Sequence, residues 1–229
     1  MMEFSSNPFS TIGTSTQISD DGLHIKKFVK HICCPQDVAI SLYSSYIESL
    51  LGSSLTLPTS VSPYESFICL KQPLYGDKLY SKDDDLDYEY IFHILPQIIS
   101  LFSFAIDNEV YLDPHLSNFH VSNDIIRLID FSPPYSLKYN QYVNFKCTTN
   151  TERFFLMRNC LYFRWDYLPF HFIADLTELS ALSCVYLQEF YRLFKPLIHS
   201  HIFFSEFVER CMMIRHHENL RVKLNFNLL

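Results

Sequence analysis

The spacing of apolar and polar residues predicts two strands and a helix in the N-terminal part of the chain. Residues 4–18 are rich in Ser, Thr and Ile, and residues 23–28 partly alternate between apolar and polar, as a half-buried strand does. The Asp-Asp-Gly sequence at residues 20–22 is a turn signal between these segments. Apolar residues then recur at helical spacing from Pro35, a residue that suits the first helical position, to Gly52, where we expect the helix to close.

Shorter signals continue this pattern further along the chain. Residues 58–63 lie between two prolines and are predicted to be a loop, whereas the apolar run at residues 67–70 is typical of a strand. Residues 119–121 and 125–129 are predicted to pair as a β-hairpin, because the Ser-Asn-Asp sequence at residues 122–124 favours a tight turn.

The longest apolar segment, residues 90–106, must be tested as a membrane span. A span needs about 20 mostly apolar residues with basic flanks. This segment is shorter, includes His93, Pro96 and Gln97, and is flanked by acidic residues such as those at 83–85. We therefore expect a core helix and no membrane span.

Apolar residues at near-helical spacing predict that the C-terminal part of the chain, from Glu152 onward, is helical. Strands concentrated at the front and helices at the back indicate the α+β class. With 229 residues, of which 48% are hydrophobic, the chain is long and apolar enough to form a substantial core.

Charge and cysteine content narrow the possible functions. The formal net charge of −7 argues against broad nucleic-acid binding, which needs a basic face. The seven cysteines are irregularly spaced and form no CxxC pair, a pattern that favours reduced thiols and a cytoplasmic location. The sequence contains no HExxH motif and no Cys/His quartet, so it does not predict a zinc site.

The stretch from Tyr111 to Asn118 carries the most informative chemistry. Asp113 and Asn118 lie on one predicted loop, and the hairpin that follows returns the chain toward them at Asp130. Carboxylate and amide oxygens are the ligands that Mg²⁺ prefers, and a carboxylate can also accept the proton of an attacking hydroxyl. The sequence thus predicts one base and two metal ligands around a single cleft.

This stretch resembles the catalytic loop of the protein-kinase-like superfamily, and most closely that of the aminoglycoside and choline phosphotransferases. Their loop reads H-x-D-x-x-x-x-N, commonly with a second His two residues after the Asp. Tyr111 stands where the first His would be, and Asp113, His115 and Asn118 occupy the base, second-His and metal-ligand positions. Asp130, followed by Phe and Ser, stands where Asp-Phe-Gly would be.

The N-terminal part resembles the same family at single residues. Gly13 would lie in the loop over the ATP phosphates. Lys26 resembles the lysine that holds the α- and β-phosphates, with Lys27 as the alternative if the register shifts by one. Glu48, the only Glu in the predicted helix, would be the partner of that lysine, and residues 71–73 would form the adenine hinge.

The resemblance implies a two-lobed kinase-like fold, with a small β-rich N-lobe over residues 1–73 and a mostly helical C-lobe over residues 74–229. It implies ATP and Mg²⁺ as cofactors and transfer of the γ-phosphoryl group to a hydroxyl acceptor, a small molecule or a protein. Asp113 would be the catalytic base with His115 beside it, and Asn118 and Asp130 would hold the metal.

Other interpretations of these residues stay open. Asp113 before Pro114 also suits a helix N-cap, and His115 suits a hydrogen-bonding residue that braces the loop. A single glycine in the phosphate loop and Ser132 after Asp-Phe are compatible with a catalytically weak or inactive pseudokinase that acts as a binding module. The pattern could also be coincidental in an unrelated α+β interaction protein.

Overall fold

The computed structural model describes residues 14–29, 35–79, 87–129, 164–179 and 183–214. These residues form an α+β structure, as predicted, and their strands make two antiparallel sheets. The strands are β1 (Thr14–Ile18), β2 (His24–Val29), β3 (Ser60–Tyr64), β4 (Phe67–Pro73), β5 (Asp77–Lys78), β6 (Phe119–Ser122) and β7 (Ile125–Leu128). The helices are α1 (Gln36–Leu51), α2 (Tyr88–Asp107), α3 (Leu168–Leu179), α4 (Cys184–Phe194) and α5 (204–214).

The first sheet has four strands in the order β1-β2-β4-β3, each antiparallel to its neighbour. Its register pairs Lys26 with Lys71 and Lys27 with Leu70. The loop predicted over residues 58–63 is wrong in part, because β3 begins at Ser60. This strand was missed because it is an edge strand whose side chains are mostly exposed and which contains Pro63, so only its pairing with β4 defines it.

Helix α1 covers one face of this sheet. Pro35 was predicted to be the first helical residue, but it has an extended backbone and lies one position before the helix begins. The helix ends before Gly52, as predicted. The buried residues that join the helix to the sheet form a small apolar cluster: Val29, Ala39, Tyr43, Ile47, Ile68 and Leu70. Because neighbouring strand residues point to opposite faces, Lys27 lies on the same face as Val29, and Lys26 lies on the other face.

The second sheet contains the predicted hairpin, β6–β7, and β5 at its other edge. Asn123 and Asp124 form the turn with φ of 50° and 59°, a conformation that Asn and Asp tolerate. Helix α2 holds this turn, because the Tyr90 hydroxyl donates to the Asp124 carboxylate at 3.2 Å. Gln97 donates to the Asp124 carbonyl at 2.7 Å and accepts from the Ile126 amide at 3.1 Å.

Helix α2 is the centre of the larger of two apolar clusters. By length and composition alone it could also cross a membrane. This cluster also includes residues of the hairpin and of helices α3 to α5. The buried side chains that α2 contributes are Ile91, Ile94, Leu95, Ile98, Leu101, Phe102 and Ala105. Tyr46 and Leu50 from the C-terminal half of α1 join this cluster, so α1 contributes to both cores.

Gly76 generates a prediction about the second sheet. Its φ is +44°, and a Cβ atom there would lie 2.0 Å from the Val121 carbonyl oxygen. Gly22 has a similar φ of +67° but no atom within 4 Å of such a Cβ. We expect Gly22→Ala to cost only the backbone strain, about 1 kcal/mol. Gly76→Ala should cost about 1–3 kcal/mol more, because β5 must move away from β6.

Urea unfolding of both variants measures this difference directly. Equal losses of unfolding free energy in the two variants would contradict the close approach of Gly76 to β6.

Candidate functional site

Residues 111–118, called here the Asp113 loop, connect α2 to β6 and are fixed at their start by Tyr111. Its backbone carbonyl accepts a hydrogen bond from the Tyr46 hydroxyl of α1 at 2.6 Å. Its buried ring contacts the edge of Trp165, with ring centroids 5.2 Å apart and an interplanar angle of 88°. Tyr111 therefore holds the loop by packing and by its main chain.

Three ionisable side chains meet in the middle of the loop. The Nδ1 atom of His115 lies 3.1 Å from a carboxylate oxygen of Asp175 on α3, and its Nε2 atom lies 3.7 Å from Oδ1 of Asp113. The other oxygen of Asp175 accepts the buried backbone N–H of Leu116 at 2.7 Å. His115 thus bridges two carboxylates, and Asp175 holds both its ring and the backbone that follows.

Asp175 was missed by the sequence reasoning. It lies far from the loop in the sequence, but it is an acidic residue within a helix whose other described side chains are mostly buried and apolar. A carboxylate in such a position needs a hydrogen-bonding partner. That signal could have indicated that Asp175 binds another part of the chain.

Asn118 joins the end of the loop to the end of the hairpin. Its side-chain Nδ2 donates to the Asp113 carbonyl at 3.4 Å, and its own carbonyl accepts the Ile129 amide at 2.8 Å. The structure thus brings Asp113, His115 and Asn118 together beside Ile129. Asp130, the next residue, lies outside the described part of the chain, as does Gly13.

Asp113 and His115 are partly accessible, with 21% and 26% of their side-chain surfaces exposed, whereas Asp175 is less accessible at 13%. A solvent molecule or a substrate can therefore reach Asp113, while Asp175 remains a supporting group. Arg164 forms an ion pair with Asp166 shortly before α3, and the hydrogen bonds that its guanidinium donates to the Asp166 carboxylate raise the pKa of Arg164. Arg164 lies over the ring of Trp165, which contacts Tyr111.

The two candidate phosphate-binding lysines lie on opposite faces of the first sheet. Lys27 shares the α1 face with Val29 and Leu70. Lys26 is near Cys69 on the other face: burial raises the pKa of the Cys69 thiol, and the positive charges of Lys26 and Lys71 act against that rise.

Glu48 lies on the exposed side of α1, away from the buried face formed by Tyr43, Tyr46 and Ile47. The other acidic residue of this helix, Asp37, is exposed as well. The structure therefore does not bring Glu48 to either lysine.

The first sheet reaches the region of the Asp113 loop through Gln72 of β4, whose Nε2 atom donates to the Ile129 carbonyl at 3.1 Å.

Within the described ranges, no group of three or more His, Cys, Asp or Glu side chains could hold a metal ion. Asn118 offers a different kind of ligand. Because its Nδ2 atom faces a carbonyl, its Oδ1 atom is directed elsewhere and accepts no hydrogen bond from the described residues. An amide oxygen in this orientation suits Mg²⁺, a cation that prefers oxygen ligands.

Asp175 generates a stability prediction. Asp175→Ala leaves the buried Leu116 N–H without an acceptor, so we expect a loss of about 1.5–3 kcal/mol of unfolding free energy. Asp175→Asn, which can still accept that N–H, should lose less. Asp107→Ala on the exposed end of α2 is the control, with little change expected. Urea unfolding checks the order, and a neutral Asp175→Ala would contradict the supporting role.

A scan against models of protein families finds no match to this chain, and neither does a search of curated proteins.

Proposed function

We propose that this protein is an ATP-dependent phosphotransferase that transfers a γ-phosphoryl group to a hydroxyl acceptor. The observation that carries the proposal is the convergence of Asp113, His115 and Asn118 on one loop, tied to Ile129 and fixed by Asp175. An acceptor-only carboxylate and an amide oxygen in such proximity suit phosphoryl transfer, in which the protein mainly positions the reactants and neutralises charge.

In this proposal Asp113 accepts the proton of the acceptor hydroxyl as the hydroxyl oxygen forms a bond to the γ-phosphorus. The bond from that phosphorus to the β,γ-bridging oxygen breaks, and ADP leaves with the electron pair. His115, between Asp113 and Asp175, orients the Asp113 carboxylate. Because Asp113 is partly exposed, an acceptor hydroxyl can approach it from solvent.

The metal would be held by Asn118 and Asp130. The Asn118 amide is oriented by its bond to the Asp113 carbonyl, which supports a ligand role for Oδ1. When bound, Mg²⁺ neutralises the phosphate charge that develops during transfer. Asp130 follows Ile129, whose amide and carbonyl are both hydrogen-bonded within the described structure, to Asn118 and Gln72.

Nucleotide binding would use the α1 face of the first sheet. Ile18 is directly opposite Ile25 across β1 and β2, and Lys27 shares that face. Ile18 is 65% exposed, so this end of the face is open to the base of a nucleotide. We therefore assign the phosphate contact to Lys27, the alternative left open by the sequence, instead of Lys26.

The two-lobed kinase-like architecture, with ATP and Mg²⁺ as cofactors, belongs to the same proposal. Its support is the strand order of the first sheet and the division of the core into two clusters that meet at α1.

The acceptor is an unassigned hydroxyl-bearing small molecule or protein, without nucleic acid as a partner. The location is cytoplasmic, and the apolar surface of α2 serves the core and not a membrane.

A catalytically weak or inactive pseudokinase is the second candidate. It is favoured by one observation: Glu48, the residue expected to pair with the phosphate-binding lysine, lies at an exposed position of α1. A protein of this kind would bind nucleotide or a partner without transferring phosphate.

The first test uses Asp113→Asn. We expect Mg²⁺-dependent ATP turnover to fall by about 100-fold or more, as for a lost general base, while the Kd for Mg²⁺-ATP stays nearly unchanged. Labelled ATP with panels of hydroxylated metabolites and of proteins measures turnover, and calorimetry measures binding. Asp107→Asn is the matched control.

Wild-type protein that binds no nucleotide, with or without Mg²⁺, would contradict the proposal. Nucleotide binding without any turnover would support the pseudokinase instead.

The second test compares Lys27→Met with Lys26→Met, which remove the same charge from opposite faces of one strand. Loss of a charge-assisted bond costs about 1.5–3 kcal/mol. The Kd for ATP should therefore rise about tenfold or more in Lys27→Met and stay near the wild-type value in Lys26→Met. The reverse order would show that the nucleotide binds the other face.

A further inference from the structure

Gln72 is a polar residue at a buried position near the end of β4, where the first sheet is hydrogen-bonded to Ile129. Only 8% of its surface is exposed. Burying an amide costs about 1–3 kcal/mol unless its hydrogen bonds are replaced, so such a residue persists where it has partners. The partners of Gln72 come from two other segments of the chain.

Both ends of the Gln72 amide are engaged. Its Nε2 atom donates to the Ile129 carbonyl at 3.1 Å, and its Oε1 atom accepts from the Thr59 hydroxyl at 3.3 Å. A carbonyl can only accept, so the contact with Ile129 determines which end of the amide faces it. Gln72 therefore links the start of β3, the end of β4 and the residue after β7.

These contacts continue into the candidate site without a break. The Ile129 amide donates to the Asn118 carbonyl at 2.8 Å, and the Asn118 side chain donates to the Asp113 carbonyl at 3.4 Å. Within the first sheet, Gln72 of β4 is the cross-strand partner of Ile25 of β2, and both lie on the α1 face. A chain of hydrogen bonds thus joins the sheet to both Asn118 and Asp113.

We propose that Gln72 is a positioning residue that couples the first sheet to the Asp113 loop; as a statement about catalysis, this rests on the proposed function. Gln72 holds Ile129, and Ile129 holds Asn118, whose side chain in turn binds the Asp113 carbonyl. Without this bond the loop keeps its support from Asp175, but the end of the loop loses its connection to the nucleotide-binding face.

The test compares Gln72→Met with Thr56→Val. Methionine retains the length of Gln72 without its donor. Thr56 is equally buried, and its hydroxyl donates to the Leu50 carbonyl at 3.1 Å. Thr56→Val therefore also removes one buried hydrogen bond, but not one of those that join Gln72 to Asn118. NMR without ligands follows the backbone amide of Ile129 and the side-chain amide of Asn118. Steady-state kinetics follow ATP turnover as Mg²⁺ is varied.

In Gln72→Met we expect solvent exchange of the Ile129 amide to rise at least tenfold and the Asn118 side-chain resonance to shift. The Mg²⁺ concentration for half-maximal turnover should rise at least fivefold, with the KM for ATP at saturating Mg²⁺ unchanged. Thr56→Val should change none of these. If Gln72→Met does not fold, Gln72→Glu, which also lacks the donor when ionised, takes its place.

Unchanged amide signals in the Gln72 variant, or equal changes in Thr56→Val, would overturn the proposal. So would turnover whose Mg²⁺ dependence is that of the wild type. If the wild-type protein has no ATP turnover, the proposed function fails, and the amide signals alone decide whether Gln72 holds the loop.

Discussion

The arrangement of the candidate site depends on one carboxylate, that of Asp175. It accepts the Leu116 N–H with one oxygen and lies against the His115 ring with the other. The Asp113 loop has little regular structure of its own, since only residues Leu116–Asn118 form a short 3₁₀ helix. A loop of this kind keeps one conformation only when its backbone groups are bonded by rigid neighbours. Asp175, on a helix within the larger core, supplies that rigid neighbour.

Further contacts connect the loop to parts of the chain that are distant in sequence. Tyr46 holds its start from α1, and Gln72 holds Ile129 from β4. Because α1 contributes side chains to both apolar clusters, a movement of this helix would disturb both cores and the start of the loop together. The loop region is therefore tied both to α1 and to the first sheet.

Local signals were sufficient to predict much of the fold. Periodicity and turn residues correctly indicated α1, the strand at residues 67–70 and the β6–β7 hairpin. They failed for β3, because an exposed edge strand is defined only by its pairing with β4. The longest apolar segment was identified as a helix, and its His93 and Gln97 lie toward the hairpin turn, a tertiary contact that no local pattern shows.

The sequence was sufficient to predict the loop of the candidate site, but not the distant residues that hold this loop in place. The spacing of Asp113, His115 and Asn118 placed them together, whereas Asp175 and Gln72 reach the loop only through tertiary packing. The choice between Lys26 and Lys27 required the register of β2 and the face covered by α1. The exposed position of Glu48 could have been inferred from the sequence, because it is out of phase with the apolar residues Tyr43, Tyr46 and Ile47 on the same helix.

The most direct test of the central claim is NMR of the labelled protein with ATP and Mn²⁺, a paramagnetic ion that accepts the same oxygen ligands as Mg²⁺. We expect Mn²⁺-ATP to broaden the side-chain signals of Asn118 and the amide signal of Ile129 before those of the other described residues. Broadening that is absent, or that is centred away from the Asp113 loop, would contradict it.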